Sequence, residues 1–360
     1  MADVIEISGR EVAVSSLDKP YFPKVGLTKG DVLDYFVRLC DDSLGAPIMN
    51  ALKDRPVLLQ RYPRGASGPN FFQKRIPDGA PEWLQTTTVE TVNGTPSRAL
   101  VLADPAHVIW AVNLGAFTLH PWPYRLDERQ RDEERDGGVP ERFVDELRID
   151  LDPVPGIGFD EVRSAALLVR DWFYERSISS FVKSSGSKGL HVYVPLDGSV
   201  AGPRYDSYDV RGAAVTVARS LAAAHPTVLT DRWWKEERGT RVFIDFNQNA
   251  PHKTVFGAWS VRARVGAQVS TPLFWDELVD VDPDALRVIS VPDRLSERGD
   301  PWAAMYDEPQ DISALVSEFR EGLEDMGDAP WPPVYPKQPY EPPRVAPSRA
   351  RPANDGAEVD

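Results

Sequence analysis

Leu147 to Pro153, LRIDLDP, constrains this chain more than any other stretch. The alternation of Leu147, Ile149 and Leu151 with Arg148, Asp150 and Asp152 predicts a β-strand with one apolar and one polar face. Both aspartates then project from one strand surface, their Cα atoms roughly 6.5 to 7 Å apart at ~3.3 Å of rise per residue. Carboxylates that close repel unless a cation lies between them. Oxygen-only ligands suit Mg²⁺ or Mn²⁺ rather than zinc, and Pro153 stops the strand with the acids at its open end. The stretch points to a divalent-metal phosphoryl-transfer site. A surface turn carrying two solvated aspartates is the other reading of such a pair.

At 360 residues and 42% hydrophobic content, the chain has room for one large domain or two ordinary ones. The opening MADVIEISGREVAV lacks a basic segment followed by an apolar one, and no apolar run is long enough to cross a bilayer. The expectation is a cytoplasmic protein with no membrane partner. The single cysteine, Cys40, excludes an intramolecular disulfide and a cysteine-rich zinc site. A formal net charge of −14 argues against wholesale attraction to nucleic acid. The acids are nevertheless concentrated, in a block at 127–136 and near the C-terminus, so local basic patches can survive.

Residues 1–14 alternate as an edge strand or hairpin. Thr28 and Asp31 form a capping-box pattern before a helix whose stripe is Val32, Leu33, Phe36 and Leu39. The positive end of that helix, with Lys29 in its first turn and Lys19 and Lys24 just before it, is a candidate phosphate cradle; three solvated lysines are the alternative. Residues 55–65 read as a strand and turn carrying Arg61 and Arg64. Phe71 and Phe72 are adjacent, so an extended segment cannot bury both in one core, and one exposed ring beside Lys74 and Arg75 could stack on a base. Strand-like pieces follow at 83–89 and 96–102. A helix or strand then delivers a rigid corner at His120, Pro121 and Trp122, and the charged block after it reads as a solvated loop.

A helix is predicted over 159–177. After it, Ser184 to Gly189 combine flexible glycines, hydroxyl donors and Lys188, which suits a triphosphate pocket. The strand that follows puts His191 and Tyr193 on the face opposite Leu190, Val192 and Val194. A second helix spans 208–226, and the strand at Val242 to Phe246 carries a third carboxylate, Asp245. Arg262 and Arg264, at i and i+2, point the same way and suit phosphate. Helical pieces are expected at 274–279, 283–288 and 311–320. From about Pro330 the chain is Pro-rich and reads as an extended tail that cannot build a core.

In their order, DLDP, SGSKGLH and FID with WSVRAR resemble the three catalytic motifs of the archaeo-eukaryotic primase superfamily. More closely, they resemble the polymerase domain of bacterial ATP-dependent DNA ligase D. The likeness runs from LDK at 17–19 and GLTKGDV at 26–32 through RYPRG, FFQK, NLG and HPW to STPL at 270–273. With no ligase portion evident, the chain is similar to free-standing primase-polymerases of actinobacteria. The resemblance implies an α+β, primase-like core with two β-sheets around a central cleft, flanked by helices. It divides the chain into a primase-polymerase domain at 1–300, a helical region at 301–329 and the tail at 330–360. Within the first, an N-terminal module covers about 1–125, an acidic loop 126–146 and the catalytic motifs 147–273.

Residue by residue, the resemblance implies that Asp150, Asp152 and Asp245 hold two Mg²⁺ or Mn²⁺ ions. Ser185, Lys188 and His191 would hold a nucleoside triphosphate and its ribose. Arg262 would bind phosphate with Arg264 and Gln248 beside it, and His120 would lie near the sugar. Lys19 and Lys29 would grip the 5′-phosphate across a DNA gap, with Arg61 nearby, and Phe71 and Phe72 would stack where template and downstream strand part. Ser16 stands where relatives often carry Asn. The implied activity is two-metal nucleotidyl transfer that fills short gaps, with a preference for ribonucleotides, on DNA whose ends also meet Ku and a separate ligase. A monomer is the simplest expectation. The rivals are a non-catalytic DNA-end-binding module, against which the presence of all three acids counts, and a nuclease or sugar transferase using the same acidic pair.

Overall fold

The computed structural model describes residues 3–92, 94–137, 142–198 and 203–344. The architecture is α+β, with two main sheets. The larger has six strands in the order Leu229–Thr230, Val242–Asp245, Glu146–Pro153, Leu190–Pro195, Phe181–Ser184 and Pro272–Leu273. All its pairings are antiparallel except the first, which is parallel. Its central strand is the predicted LRIDLDP segment. Leu147, Ile149 and Leu151 are fully buried toward the helices Phe159–Tyr174 and Ser207–Ala224, which pack on this sheet through Val162, Ala166, Val169, Ala214 and Val217. The opposite face carries the polar residues, as strand alternation requires.

The smaller sheet runs Phe71–Gln73, Pro56–Arg61, Ser97–Val101, Thr86–Val89, with Thr118–Pro121 also pairing Pro56–Arg61. The two sheets are joined through the segment 257–271. Gly257 N–H donates to Leu119 O at 2.9 Å on one side, and Ser184 N–H donates to Thr271 O at 2.8 Å on the other. A Cβ on Gly257 would lie 2.8 Å from Leu119 O, so only glycine permits this approach. The N-terminal hairpin Asp3–Ile7 with Arg10–Val14 and the Thr28/Asp31 capping box at the helix Lys29–Leu39 form as their sequence predicts. The segment before His120 contains both a helix, Pro105–Asn113, and the strand. Among the described residues no helix is long and apolar enough to cross a membrane.

Three expectations need correction. The acidic block is a helix, Glu128–Arg135, opened by an Asp127/Gln130 capping box. Its charges find partners on the body, Arg131 on Asp54 and Glu134 on Thr87 and Arg142, so the segment gains packing that a solvated loop would lack. Residues 283–288 form a turn, because Arg287 bridges to Gln268; the helix starts later, at Val291–Arg298, with Pro292 in its first turn, and 274–279 yields only the 3₁₀ turn Glu277–Val279. The expected tail is corrected only over its first part: the chain from Pro330 to Arg344 packs on the body, with Trp331, Tyr335 and Glu341 buried, and the rest of it, 345–360, lies outside the described residues. Aromatic side chains among the prolines supply the apolar area that a proline-rich composition alone hides.

Inside the fold, Arg55 ties the sheets together. It precedes the strand Pro56–Arg61 and contacts Asp145 at 2.6 Å and Glu146, the first residue of the central strand, also at 2.6 Å. Arg148 contacts Glu146 at 2.7 Å from the other side. Burial works against the Glu146 charge, yet Arg55 and Arg148 hold its carboxyl down to about 2. Removing one member of such a network strands the others. Arg55→Met is therefore expected to cost about 3–5 kcal/mol in chemical denaturation, and a loss below about 1 kcal/mol would contradict this role.

Candidate active site

The register of the larger sheet sets one row of side chains. Asp245 lies opposite Asp150, Asp150 opposite His191, and His191 opposite Lys183. Residues directly opposite share a face, and Asp152, two positions beyond Asp150, joins them. Each of the three carboxylates offers an oxygen within 4.8 Å of the others, with Asp245 buried, Asp150 half-buried and Asp152 exposed. Burial raises the Asp150 carboxyl well above the carboxylate range, and the charges of Asp152 and Asp245 add to it. Asp245 is raised by burial and by Asp152, and Asp152 by burial, which outweighs the opposing pull of Arg238, Lys235 and Arg262. Three crowded oxygen donors with no cation among the described side chains seated between them are the donor set of a hard divalent ion.

A short polar turn fixes the third acid. Asp245 ends its strand and the 3₁₀ turn Phe246–Asn249 follows at once. Asn247 N–H donates to Asp245 Oδ1 at 2.9 Å, and Gln248 Nε2 donates to Oδ2 at 2.8 Å. Asn249 bridges to the central strand, accepting from Arg148 N–H at 2.8 Å and donating to Arg148 O at 2.6 Å. The separation between Asp245 and Asp150 is thereby held from both strands.

Facing the acids is the 184–189 loop. Ser185 Oγ accepts from the N–H groups of Ser187 at 3.2 Å and Gly189 at 3.1 Å, so its own proton is left for a ligand. Gly186 sits at φ +69°, and a Cβ there would meet Arg262 Cγ at 2.8 Å. Arg262 Nε donates to Ser185 O at 2.8 Å, and its guanidinium lies 3.6 Å from the centre of the Phe256 ring. Arg264 reaches Ser187 Oγ at 3.1 Å. Both arginines contact this loop, and they do so from a bend and not from a strand.

His191 Nε2 lies 3.3 Å from Asp150 Oδ1, while its buried Nδ1 has no hydrogen-bond partner among the described residues. Burial, then the charges of Lys183, Arg262 and Arg148, holds the ring well below its usual pKa. That shift favours the neutral ring, and a ligand would have to satisfy its buried Nδ1. His120 is likewise pushed down to about 3, by burial and then by Arg262 and Lys183.

Most of these groups line one cleft of about 460 Å³, which gathers Asp150, Asp152, Ser185, Lys188, His191, Gln248, Arg262 and His120; Asp245, within reach of the other two acids, and Arg264 are not in its lining. His120 comes from the smaller sheet, so the cleft lies between the two. Larger grooves, one along Thr86–Thr88 and one beside Cys40, lie away from the acids. Three neighbours escaped the sequence reading. Lys183 is buried in the row, donating to Ser270 Oγ at 2.5 Å, and is held well below its usual pKa by burial and by Arg262. Arg238 lies over the Phe243 ring at 3.6 Å, close to Asp245 and Asp152. Asn247 is the third. The hairpin register across SSGSKG offers a signal for Lys183, which falls opposite His191.

The remaining candidates lie outside the cleft lining. Phe71 and Phe72 are 46% and 57% exposed, where only one exposed ring was expected. Their strand is a sheet edge, so neither face is fully covered. Phe71 packs against Arg61, 5.3 Å from guanidinium to ring centre, and Phe72 meets His120 edge-on at 5.5 Å, which links it to the cleft. Arg61 also donates to Leu114 O at 3.0 Å. Lys29 is buried and donates to Ser15 O and Asn113 Oδ1, both at 2.6 Å, and Lys19 donates to Pro63 O at 2.6 Å. The backbone donors expected at that helix start are already used: Lys29 N–H goes to Lys19 O, Gly30 N–H to Leu17 O and Asp31 N–H to Thr28 Oγ1. That helix start thus adds no free backbone donor to the two ammonium groups, and burial, then Lys19, lowers the Lys29 pKa to about 8.

The chain as a whole has counterparts among known proteins. The family model described as LigD, primase-polymerase domain, matches residues 28–302. The multifunctional non-homologous end joining DNA repair protein LigD of Mycobacterium tuberculosis (strain ATCC 25618 / H37Rv) is 32% identical over 331 residues, which covers 90% of this chain and 41% of that protein. The bifunctional non-homologous end joining protein LigD of Bacillus subtilis (strain 168) is 28% identical over 311 residues, covering 85% and 46%. The chain spans less than half the length of these relatives. The solved polymerase domain from Mycobacterium tuberculosis ligase D in complex with DNA superposes with a TM-score of 0.73 at 28% identity, covering 83% of this chain and 99% of that one. The family match over residues 28–302 and a matched fold over most of the chain agree: it belongs to the LigD primase-polymerase domain family, whose members are nucleotidyltransferases.

Proposed function

We propose that this protein is a template-directed polymerase that fills short gaps at DNA breaks. The observation that carries this reading is the cluster of Asp245, Asp150 and Asp152 with His191 in the same row, where Asp150, Asp152 and His191 share one cleft with the serine and lysine loop. Asp150, Asp152 and Asp245 would hold two Mg²⁺ or Mn²⁺ ions, which when bound lower the pKa of a primer 3′-hydroxyl and neutralise the triphosphate. Ser185, Lys188 and Arg262 present hydroxyl, ammonium and guanidinium donors to the phosphates, with Arg264 at the rim. His191, kept neutral, offers its unsatisfied nitrogen to the nucleotide without adding charge beside Lys183 and Arg262. Gln248 keeps Asp245 turned toward the other acids. His120, from the opposite sheet, bounds the cleft where a sugar would sit.

Outside the cleft, the ammonium groups of Lys19 and Lys29 suit the 5′-phosphate across a gap, and the exposed Phe71 and Phe72 rings beside Arg61 suit stacking on unpaired bases. The named relatives act in non-homologous end joining and one solved relative holds DNA, which supports the same role here. The proposal extends to ribonucleotide preference, to monomeric, free-standing action, and to Ku and a separate ligase as partners; the support for these is the family resemblance.

Two measurements test the reading. Asp150→Asn should lower single-nucleotide incorporation into a 5′-phosphorylated gap by at least about 100-fold, the scale of losing a transition-state charge stabiliser. Its metal-free melting temperature should rise, because one of three crowded charges is gone; unchanged incorporation would sink the proposal. Lys29 is protonated below about pH 8 and neutral above it, and only the protonated form favours a phosphate dianion. Fluorescence anisotropy should therefore show the preference for 5′-phosphate over 5′-hydroxyl gaps shrinking as pH rises from about 7 to 9, with Lys29→Met both weaker and flat. A preference independent of pH in the parent protein would rule out this role for Lys29.

A further inference from the structure

We infer that Asp328 to Arg344 is a clasp that positions Asp245 for metal binding, acting through Arg211 and Asn247. The inference rests on the metal reading of the three acids and adds a part of the chain that lies beyond the 28–302 family match. Arg211, buried on the helix Ser207–Ala224, is the centre of the connection. Its Nη1 donates to Asp328 Oδ1 at 2.9 Å, its Nη2 to Ala329 O at 2.8 Å and its Nε to Asn247 Oδ1 at 2.9 Å. Asn247 Nδ2 donates to Pro330 O at 2.9 Å, while its backbone N–H holds Asp245 Oδ1. One side chain thus touches the clasp, and its own backbone touches the acid.

The clasp is closed on itself and on the turn. Trp331 lies under the Arg211 guanidinium at 3.9 Å and donates from Nε1 to Asp328 Oδ2 at 2.7 Å. Tyr335 Oη donates to Pro251 O at 2.6 Å, just past the turn. Glu341 accepts from Trp331 N–H at 3.0 Å and pairs with Arg344 at 2.5 Å, and Asp328 N–H donates to Tyr340 O at 2.8 Å. A stretch whose only task was to cover apolar surface would need no buried arginine aimed at the residue that orients a carboxylate. Without Asp328, Arg211 loses its counter-charge inside the protein, and the hold on Asn247 and hence on Asp245 loosens.

The test uses the full chain and Mn²⁺ alone, with bound ion read from loss of the free-ion electron paramagnetic resonance signal. Asp328→Asn and Trp331→Ala should each weaken Mn²⁺ binding by about 10-fold, the lower end of what losing an outer-shell partner costs. Their extension rate at saturating Mn²⁺ and their affinity for 5′-phosphorylated gaps should match the parent. Val169→Ala, a core change remote from the clasp, should lower the melting temperature and leave Mn²⁺ affinity unchanged, which separates positioning from general destabilisation. If Asp328→Asn does not fold, Tyr335→Phe carries the same comparison with a smaller shift of the same sign. Parent-like Mn²⁺ affinity in the clasp variants overturns the clasp alone; a parent protein that binds no Mn²⁺ overturns the metal reading and the clasp with it.

Discussion

Repulsion among three carboxylates gathered in one half-buried place is the constraint around which this protein is built. Left to itself, the cluster disfavours the folded chain. What holds it is covalent and hydrogen-bonded geometry on every side: the antiparallel register that pairs Asp150 with Asp245, the Asn247 and Gln248 donors on Asp245, and the Asn249 bridge to the backbone of Arg148. Functional sites commonly keep such local conflicts because surrounding packing over-determines them. Here the surrounding packing includes a buried ionic network at the start of the same strand, Arg55 with Asp145, Glu146 and Arg148. The central strand is thus pinned by paired charges at one end and carries unpaired ones at the other.

The electrostatics around the acids follow from that arrangement. Burial, and then the charges of Lys183 and Arg262, drives both His191 and His120 toward neutrality, so the cleft presents neutral rings and a few cations to a ligand instead of a uniformly positive wall. A chain of net charge −14 can in this way offer a phosphate-binding surface. Some of its acids are spent on partners, as Asp54 is on Arg131 and Glu134 on Arg142, and three are gathered in one cluster.

Much of this was legible in local pattern. The alternation of LRIDLDP and the Thr28/Asp31 cap depend on neighbours in sequence, and they appear as read; of the hydroxyls in the 184–189 loop, Ser184 Oγ is buried and donates to Val269 O at 3.1 Å instead of facing a ligand. The meeting of Asp245 with Asp150 depends on pairing between strands some ninety-five residues apart, which no periodicity encodes; the family resemblance carried that step. Lys183 was missed because its strand, Phe181–Ser184, is short and its partner Ser270 is distant. Arg211 sits in a segment that the sequence marks only as a helix, and nothing nearby announces Asp328 as its counter-ion. The Pro330 to Arg344 segment was misread for the opposite reason: its composition is that of a linker, while two aromatic rings and one ion pair suffice to fold it down.

Anomalous diffraction from crystals grown with Mn²⁺ and a non-hydrolysable nucleoside triphosphate addresses the central claim most directly. The account predicts two manganese peaks, ~3.5–4 Å apart, within ligand distance of Asp150, Asp152 and Asp245 and beside the 184–189 loop. Manganese bound elsewhere, or held by Asp150 and Asp152 with Asp245 turned away, would contradict it.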